Sequence, residues 1–173
     1  TVIPIVPRSN FVGTQWQYNK AKQTTATVTI KHELNNNWSV NASASYQLYS
    51  RDYYSTERIQ AAANGDWIRP LNKIETQEKY FVGNIDLVGK FKTGAVAHHL
   101  LTGIDGDKYF TSTYAFNNPT VYDTINTLNP TKFIARTDIP SASKITRLET
   151  PINRLGAYVQ DLINISNQLK LLV

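Results

Sequence analysis

The run Trp38-Ser39-Val40-Asn41-Ala42-Ser43-Ala44-Ser45-Tyr46-Gln47-Leu48-Tyr49 decides the fold of this chain. Its even positions carry Trp38, Val40, Ala42, Ala44, Tyr46 and Leu48. Its odd positions carry Ser39, Asn41, Ser43, Ser45, Gln47 and Tyr49, with Arg51 following. Successive strand side chains point to opposite faces, so this pattern is one apolar and one polar face held for more than ten residues. Upstream, Ala26, Val28 and Ile30 alternate with Thr25, Thr27, Thr29 and Lys31 in the same way. Between the runs lies Asn35-Asn36-Asn37, a tight-turn composition because Asn tolerates positive φ. A β-hairpin over about 24–50 follows.

Two more hairpins are expected, over about 78–110 and 155–173. In the first, Phe81, Gly83, Ile85, Leu87 and Phe91 oppose Asn84, Asp86 and Lys90, with a turn at Lys92-Thr93-Gly94. The return strand sets Leu100, Thr102 and Ile104 against His99, Asp105 and Asp107, with Leu101 falling on the polar side. The last runs from Leu155 to Ile163, turns at Ser166-Asn167-Gln168 and resumes in Leu169 to Val173. The connections 52–77 and 112–153, and the lead-in 1–22, are far longer than the 4–6 residues common in compact domains. Short and long connections alternate strictly, as the periplasmic turns and extracellular loops of outer-membrane barrels do.

Magnitudes agree with a membrane wall. Trp38 and Tyr46 share a face, as do Phe81 and Phe91. At ~3.3 Å per residue and a tilt of ~40° each pair spans roughly 20–25 Å, the height of an apolar belt between aromatic girdles. A lysine on the lipid side at the midplane costs ~2–4 kcal/mol. Lys31, Asn41, Gln47, Asn84 and Asp86 should therefore face the lumen, and Ala26, Val28, Ile30, Val40, Ala42, Ala44, Ile85 and Leu87 lipid. Core aromatics of a soluble sandwich would give the same pairs, so the loop asymmetry carries the choice. The fold class expected is all-β, an antiparallel up-and-down hairpin meander forming a segment of a transmembrane β-barrel.

Composition narrows the function. The 173 residues contain no Cys, so disulfides and thiolate metal sites are excluded. Charged residues make up 18%, below the roughly 25% of soluble domains. The net charge is +5, but the basic residues form no run of the kind that binds nucleic acid. No apolar stretch of about 18 residues exists for a helical span. The absence of Met and the apolar run ending at Val173 are read as signs of an internal piece of a longer chain. No Gly-x-Ser-x-Gly string or Gly-rich phosphate loop is present, so neither an enzyme nor a cofactor is expected. Asp105 and Asp107 share a face but fall short of the six to eight oxygens of a Ca²⁺ site. His98 and His99 point to opposite faces, and with His32 they complete the histidines, so no metal site is expected.

Several strings resemble the siderophore-receptor branch of TonB-dependent outer-membrane receptors, the ferrichrome or hydroxamate-like type among them. Asn153-Arg154-Leu155-Gly156-Ala157-Tyr158-Val159-Gln160-Asp161 is similar to that family's Gly-x-Tyr-x-Gln-Asp strand. His99-Leu100-Leu101-Thr102-Gly103-Ile104-Asp105 resembles its His-x-Leu-Leu-x-Gly-x-Asp strand, and Gly13-Thr14-Gln15-Trp16 resembles a loop placed earlier in the barrel. The likeness covers essentially the whole chain in family order. It implies a 22-stranded barrel in a Gram-negative outer membrane, in contact with lipid and closed by a plug domain absent here. It implies energy-coupled import of a ferric siderophore, with TonB engaged through parts of the receptor outside this chain. Ligand contacts would then come from the loops: Trp16, Tyr18, Tyr53, Tyr54, Trp67, Arg69, Tyr114, Phe116 and Tyr122. Aromatic rings and Arg suit the apolar rim and oxygen acceptors of a ferric hydroxamate or catecholate. The competing role for each is packing within the loops or the outer girdle. Two rival functions stand beside this one: a soluble secreted β-sandwich binding module, for carbohydrate for example, and a TonB-dependent receptor for cobalamin, haem or glycan.

Overall fold

A computed structural model of the chain describes residues 11–58, 60–166 and 168–173. Residues 1–10 of the expected first loop and Asn167 of the third turn lie outside the described residues. The described residues form seven strands: β1 (Tyr18–Asn35), β2 (Trp38–Thr56), β3 (Asp66–Thr93), β4 (Val96–Asn117), β5 (Val121–Asn126), β6 (Ser143–Asn164) and β7 (Lys170–Leu172). They form an antiparallel meander in the order β1-β2-β3-β4-β6-β7, with β5 laid beside β3, and the sheet is not closed.

The turns follow from local chemistry. The Asn35 side-chain oxygen accepts from the backbone N–H groups of Asn37 and Trp38, at 2.9 and 3.1 Å, closing the first hairpin. The second hairpin turns through Gly94-Ala95, one residue later than the composition suggests. Gly94 has φ 63°, open to glycine at little cost. In the third, the Ser166 hydroxyl accepts from the N–H of Leu169 at 3.1 Å.

The strands run further than hydrophobic alternation predicts. The segment 52–77, expected as a loop, is strand up to Thr56 and again from Asp66. The segment 112–153 holds the end of β4, all of β5 and the start of β6. Alternation fades there because both faces carry polar side chains, yet the backbone ladder does not depend on what the side chains are. Pro70 is tolerated inside β3 because the β3–β5 register is broken between Arg69 and Pro70. Pro151 lies in the part of β6 that β7 does not pair, since β7 reaches only Leu162 to Asn164.

The chain divides into two units. One comprises Gln23–Tyr49, Glu78–Thr111 and Thr150–Val173. Its polar face is tied across strands. Thr27 and Ser45 hydroxyls lie 2.9 Å apart, Tyr158 donates to Asp86, and Arg154 forks onto Asp107 at 2.8 and 3.0 Å. Its opposite face joins Val28, Ile30, Ala42, Ala44, Ile85, Ile104 and Leu155, and it is open: Ile85 is 53% exposed and Leu155 87%. A sandwich would have buried that face.

Glycine permits close packing at Gly103 on the polar face. A Cβ on Gly103 would stand 2.7 Å from the Ile85 carbonyl and 2.6 Å from the Asp86 carboxylate, whereas one on Gly83 meets nothing nearer than 3.4 Å. Gly103→Ala is expected to cost about 1–3 kcal/mol through forced backbone movement. Gly83→Ala should be close to neutral. Urea midpoints of the two variants in one lipid environment test this, and equal midpoints would refute the steric account.

The other unit comprises the described part of Thr1–Lys22, with Ser50–Gln77 and Ser112–Glu149. It holds all four buried hydrophobic residues among the described ones: Tyr54, Trp67, Leu71 and Tyr122.

Candidate functional site

Six of the nine residues expected to meet a ligand, Trp16, Tyr18, Tyr54, Arg69, Phe116 and Tyr122, converge in this second unit on one aromatic and ionic assembly. Trp16 packs against Tyr54 and Tyr122, with ring centroids 5.0 and 5.5 Å apart. Its indole N–H donates to the Tyr122 hydroxyl at 3.2 Å, which in turn donates to the Asp138 carbonyl at 2.8 Å. Tyr54 donates to the Pro140 carbonyl at 2.8 Å, and burial pushes its phenol pKa up. These bonds satisfy the polar tips of buried rings, as burial demands. Trp67, at 2% exposure, is buried, and among the described residues its indole N–H has no partner.

Arg69 is held more tightly than any other cation in the unit. It stands opposite Asp123 in the β3–β5 register and forks onto it at 2.6 and 2.5 Å, with both side chains almost sealed from solvent. Its remaining nitrogen donates to the carbonyls of Val12 and Gly13 at 3.1 Å. The guanidinium lies 5.2 Å from the Tyr122 ring centre. Arg136 approaches the same ring at 4.9 Å, donates its backbone N–H to Asp123, and forks onto Asp138. The planar fork of Arg suits both pairings.

Lys73 occupies a cage. Its ammonium lies 4.9, 5.2 and 5.4 Å from the ring centres of Tyr18, Tyr54 and Phe116, and it donates to Asp52 at 2.8 Å and to Tyr18. Burial works against the charge, but the bonds to Asp52 and Tyr18 prevail and raise its pKa. Tyr114 stands apart, with Lys144 at 4.1 Å and Arg147 at 5.7 Å from its centre; Lys144 also bonds Glu75 at 2.7 Å and Arg147 bonds Ser112.

Tyr54, Trp67, Arg69 and Tyr122 are therefore packed inside, and they hold segments together. Tyr53, Tyr114 and Phe116 remain half-exposed, as do Trp16 and Tyr18. The arrangement presents aromatic rings interleaved with cations that are each paired with a carboxylate. Lys73, Asp123, Arg136, Lys144 and Arg147 were not singled out by the sequence reading. Lys73, Asp123 and Lys144 find partners tens of residues away, which no local spacing marks, while Arg136 and Arg147 each also pair with a carboxylate two residues on.

Asp66 anchors a further connection. Lys132 donates to both its oxygens at 2.8 Å and Asn126 to one at 2.7 Å, and these bonds, Lys132's foremost, hold its pKa below the usual value. A depressed carboxylate contributes stability above its ordinary value and loses it as the pH falls through the depressed one. Amide protection near Asp66 and Lys132 is expected to stay level from neutrality to about pH 5 and to drop below about pH 4. Protection that fell already near pH 6 would place the cause elsewhere.

A family model described as TonB dependent receptor-like, beta-barrel matches residues 4–173. The catecholate siderophore receptor Fiu of Escherichia coli O6:H1 is 26% identical over 135 residues, 72% of this chain and 18% of that protein. The metal-pseudopaline receptor CntO of Pseudomonas aeruginosa strain PAO1 is 25% identical over 171 residues, 94% of this chain and 23% of that protein. The chain thus spans about a fifth of the length of these curated relatives. Among solved structures, the open form of the ferric-catecholate import receptor Fiu from E. coli K12 superimposes with a TM-score of 0.82 at 21% identity, over 97% of this chain and 27% of that one. The pyoverdine outer membrane receptor FpvA from P. aeruginosa PAO1, bound to pyoverdine, gives 0.78 at 19% identity, over 98% and 25%. At these identities the structural likeness speaks for the fold. With an open antiparallel meander and the family match over nearly the whole length, the chain belongs to the β-barrel family of TonB-dependent receptors, whose barrels sit in the Gram-negative outer membrane.

Proposed function

We propose that this chain is barrel wall and loop structure of a receptor that imports ferric siderophores with energy delivered through TonB. The observation that carries the reading is the open apolar face of the strand unit, set against a polar face tied by side-chain bonds. That arrangement suits a wall with lipid on one side and a hydrated lumen on the other. Val28, Ile30, Ala42, Ala44 and Ile85 then meet outer-membrane lipid, while Asn84, Asp86 and Asp107 line the lumen. TonB is engaged by parts of the receptor outside this chain.

For the cargo, Tyr53, Tyr114 and Phe116 are the ligand-facing rings, with Lys144 and Arg147 supplying charge beside Tyr114. Trp16, Tyr18, Tyr54, Trp67, Arg69 and Tyr122 shape the loops behind them. A ferric catecholate carries net negative charge, which Lys144 and Arg147 would meet in exchange for Glu75 and Glu149, their present partners at 2.7 and 2.6 Å. A hydroxamate of the ferrichrome type offers mainly oxygen acceptors and an apolar rim, which the rings favour. The relatives named for catecholates weigh towards the first, and the pseudopaline relative keeps other metal chelates in the comparison.

Radioactive iron uptake under iron limitation tests the reading, in a strain whose only siderophore receptor is the full-length protein. TonB-dependent uptake of a ferric catecholate or hydroxamate is the expected result. Uptake of neither, with TonB intact, would refute siderophore transport and turn attention to haem, cobalamin or glycan.

A further inference from the structure

The turn that leads into β3 carries the pair Asn64-Gly65, and its geometry calls for both residues. Gly65 has φ 84°, and a Cβ there would stand 2.7 Å from the Leu128 side chain and 2.8 Å from the Asn126 amide oxygen. The Asn64 side-chain oxygen accepts the Asp66 N–H at 3.0 Å, and its amide nitrogen donates to the Asp66 carboxylate at 2.8 Å. Yet an asparagine before a glycine is prone to cyclise, because no side chain shields the glycine nitrogen from the neighbouring amide carbon. Asn64 is exposed, so water is at hand.

Both reacting groups are tied down within the loop unit. The Gly65 N–H donates to the Ala62 carbonyl at 2.9 Å, which engages the proton that must leave before the nitrogen can attack. The β3–β5 register sets Asn126 opposite Asp66, and the Asn126 amide donates to the Asn64 carbonyl at 2.9 Å and to the Asp66 carboxylate at 2.7 Å. The Thr127 N–H donates to the Gly65 carbonyl at 2.8 Å. Lys132 closes the group by donating to both Asp66 oxygens.

We propose that Asn64 is a site of spontaneous deamidation, gated by the clamp that Asp66, Asn126 and Lys132 close over it. When the turn opens, the Gly65 nitrogen gives its proton to hydroxide and bonds to the side-chain carbonyl carbon of Asn64. The bond from that carbon to the amide nitrogen breaks, and the nitrogen takes up a proton and leaves as ammonia. Water then adds to either carbonyl of the cyclic imide and reopens it as an aspartyl or isoaspartyl residue. Either product sets a second carboxylate beside Asp66 in competition for Lys132, and the isoaspartyl form lengthens the main chain of the turn by one carbon. The rate of the reaction reads the local opening of this turn.

The test incubates the full-length receptor in detergent at mildly alkaline pH and follows isoaspartate at position 64 by peptide mass spectrometry. The same receptor unfolded in guanidinium chloride is the reference. Rapid modification when unfolded and slow modification when folded are expected. Lys132→Gln, which removes a partly exposed ion pair, should speed the folded reaction about threefold. Asn126→Ala, which removes two bonds to the turn, should speed it about tenfold. Hydrogen exchange on each variant separates local from general opening. Equal rates in the folded and unfolded receptor, or no modification of Asn64 in either, would overturn the proposal. So would an unchanged rate in both variants, or an acceleration in Lys132→Gln matched by lost amide protection throughout β2 and β3.

Discussion

Arg69→Ala is expected to destabilise the loop unit by about 3–5 kcal/mol, because it strands the Asp123 carboxylate in a sealed site. The two side chains retain only 3% and 6% of their exposure, so water cannot replace the lost partner. The same change frees the carbonyls of Val12 and Gly13 and removes a cation from the Tyr122 ring. Asp123→Ala should cost a similar amount, since it leaves the guanidinium unpaired and releases the Arg136 backbone N–H. Replacing both partners together, as Arg69→Met with Asp123→Leu, should recover much of the loss, because no buried charge is then left alone. Hydrogen exchange at β5 in the full-length receptor reads the effect: amides of Tyr122 to Ile125 should lose protection in each single variant and regain most of it in the pair. Single variants as protected as the parent would show that the ion pair is not what holds β5 to β3.

Ile85→Lys is expected to cost about 2–4 kcal/mol in a bilayer. Ile85 lies four residues from Phe81 and six from Phe91 along β3, near the middle of the belt those rings bound. Its side chain is more than half exposed among the described residues. In water such a position would tolerate lysine readily, within about 0.5 kcal/mol. The prediction therefore separates membrane from aqueous surroundings by its size alone. Ser45→Lys, on the opposite face beside Thr27, should cost little, since a charge there faces water. Urea unfolding of the full-length receptor in vesicles, with both variants in the same lipid, gives the comparison. Equal costs for the two faces would remove the assignment of lipid to the apolar side.

Lys79 and Lys108, which alternation puts on that same face beside Phe81 and Phe110, are tolerated there for a reason of depth. The penalty falls to about 0–1 kcal/mol near the interface. The cost of charge along one face thus maps the boundary of the belt, independently of the aromatic rings that mark it.

The sequence by itself determined the order of the hairpins, the first turn, the second to within a residue, and the two faces of the strand unit. A period of two writes the face of every residue directly into the chain, and a turn is closed by its own residues, as Asn35 and Gly94 show. Only the tertiary structure decided how far β2, β3, β4 and β6 extend, that β5 exists, and which loop aromatics are sealed inside. Strand ends continue through polar residues because main-chain bonds ignore side-chain polarity. The fate of Arg69, Trp67 and Tyr122 depends on partners more than fifty residues away in sequence for Arg69 and Asp123, and contacts at that separation leave no periodic trace in either segment.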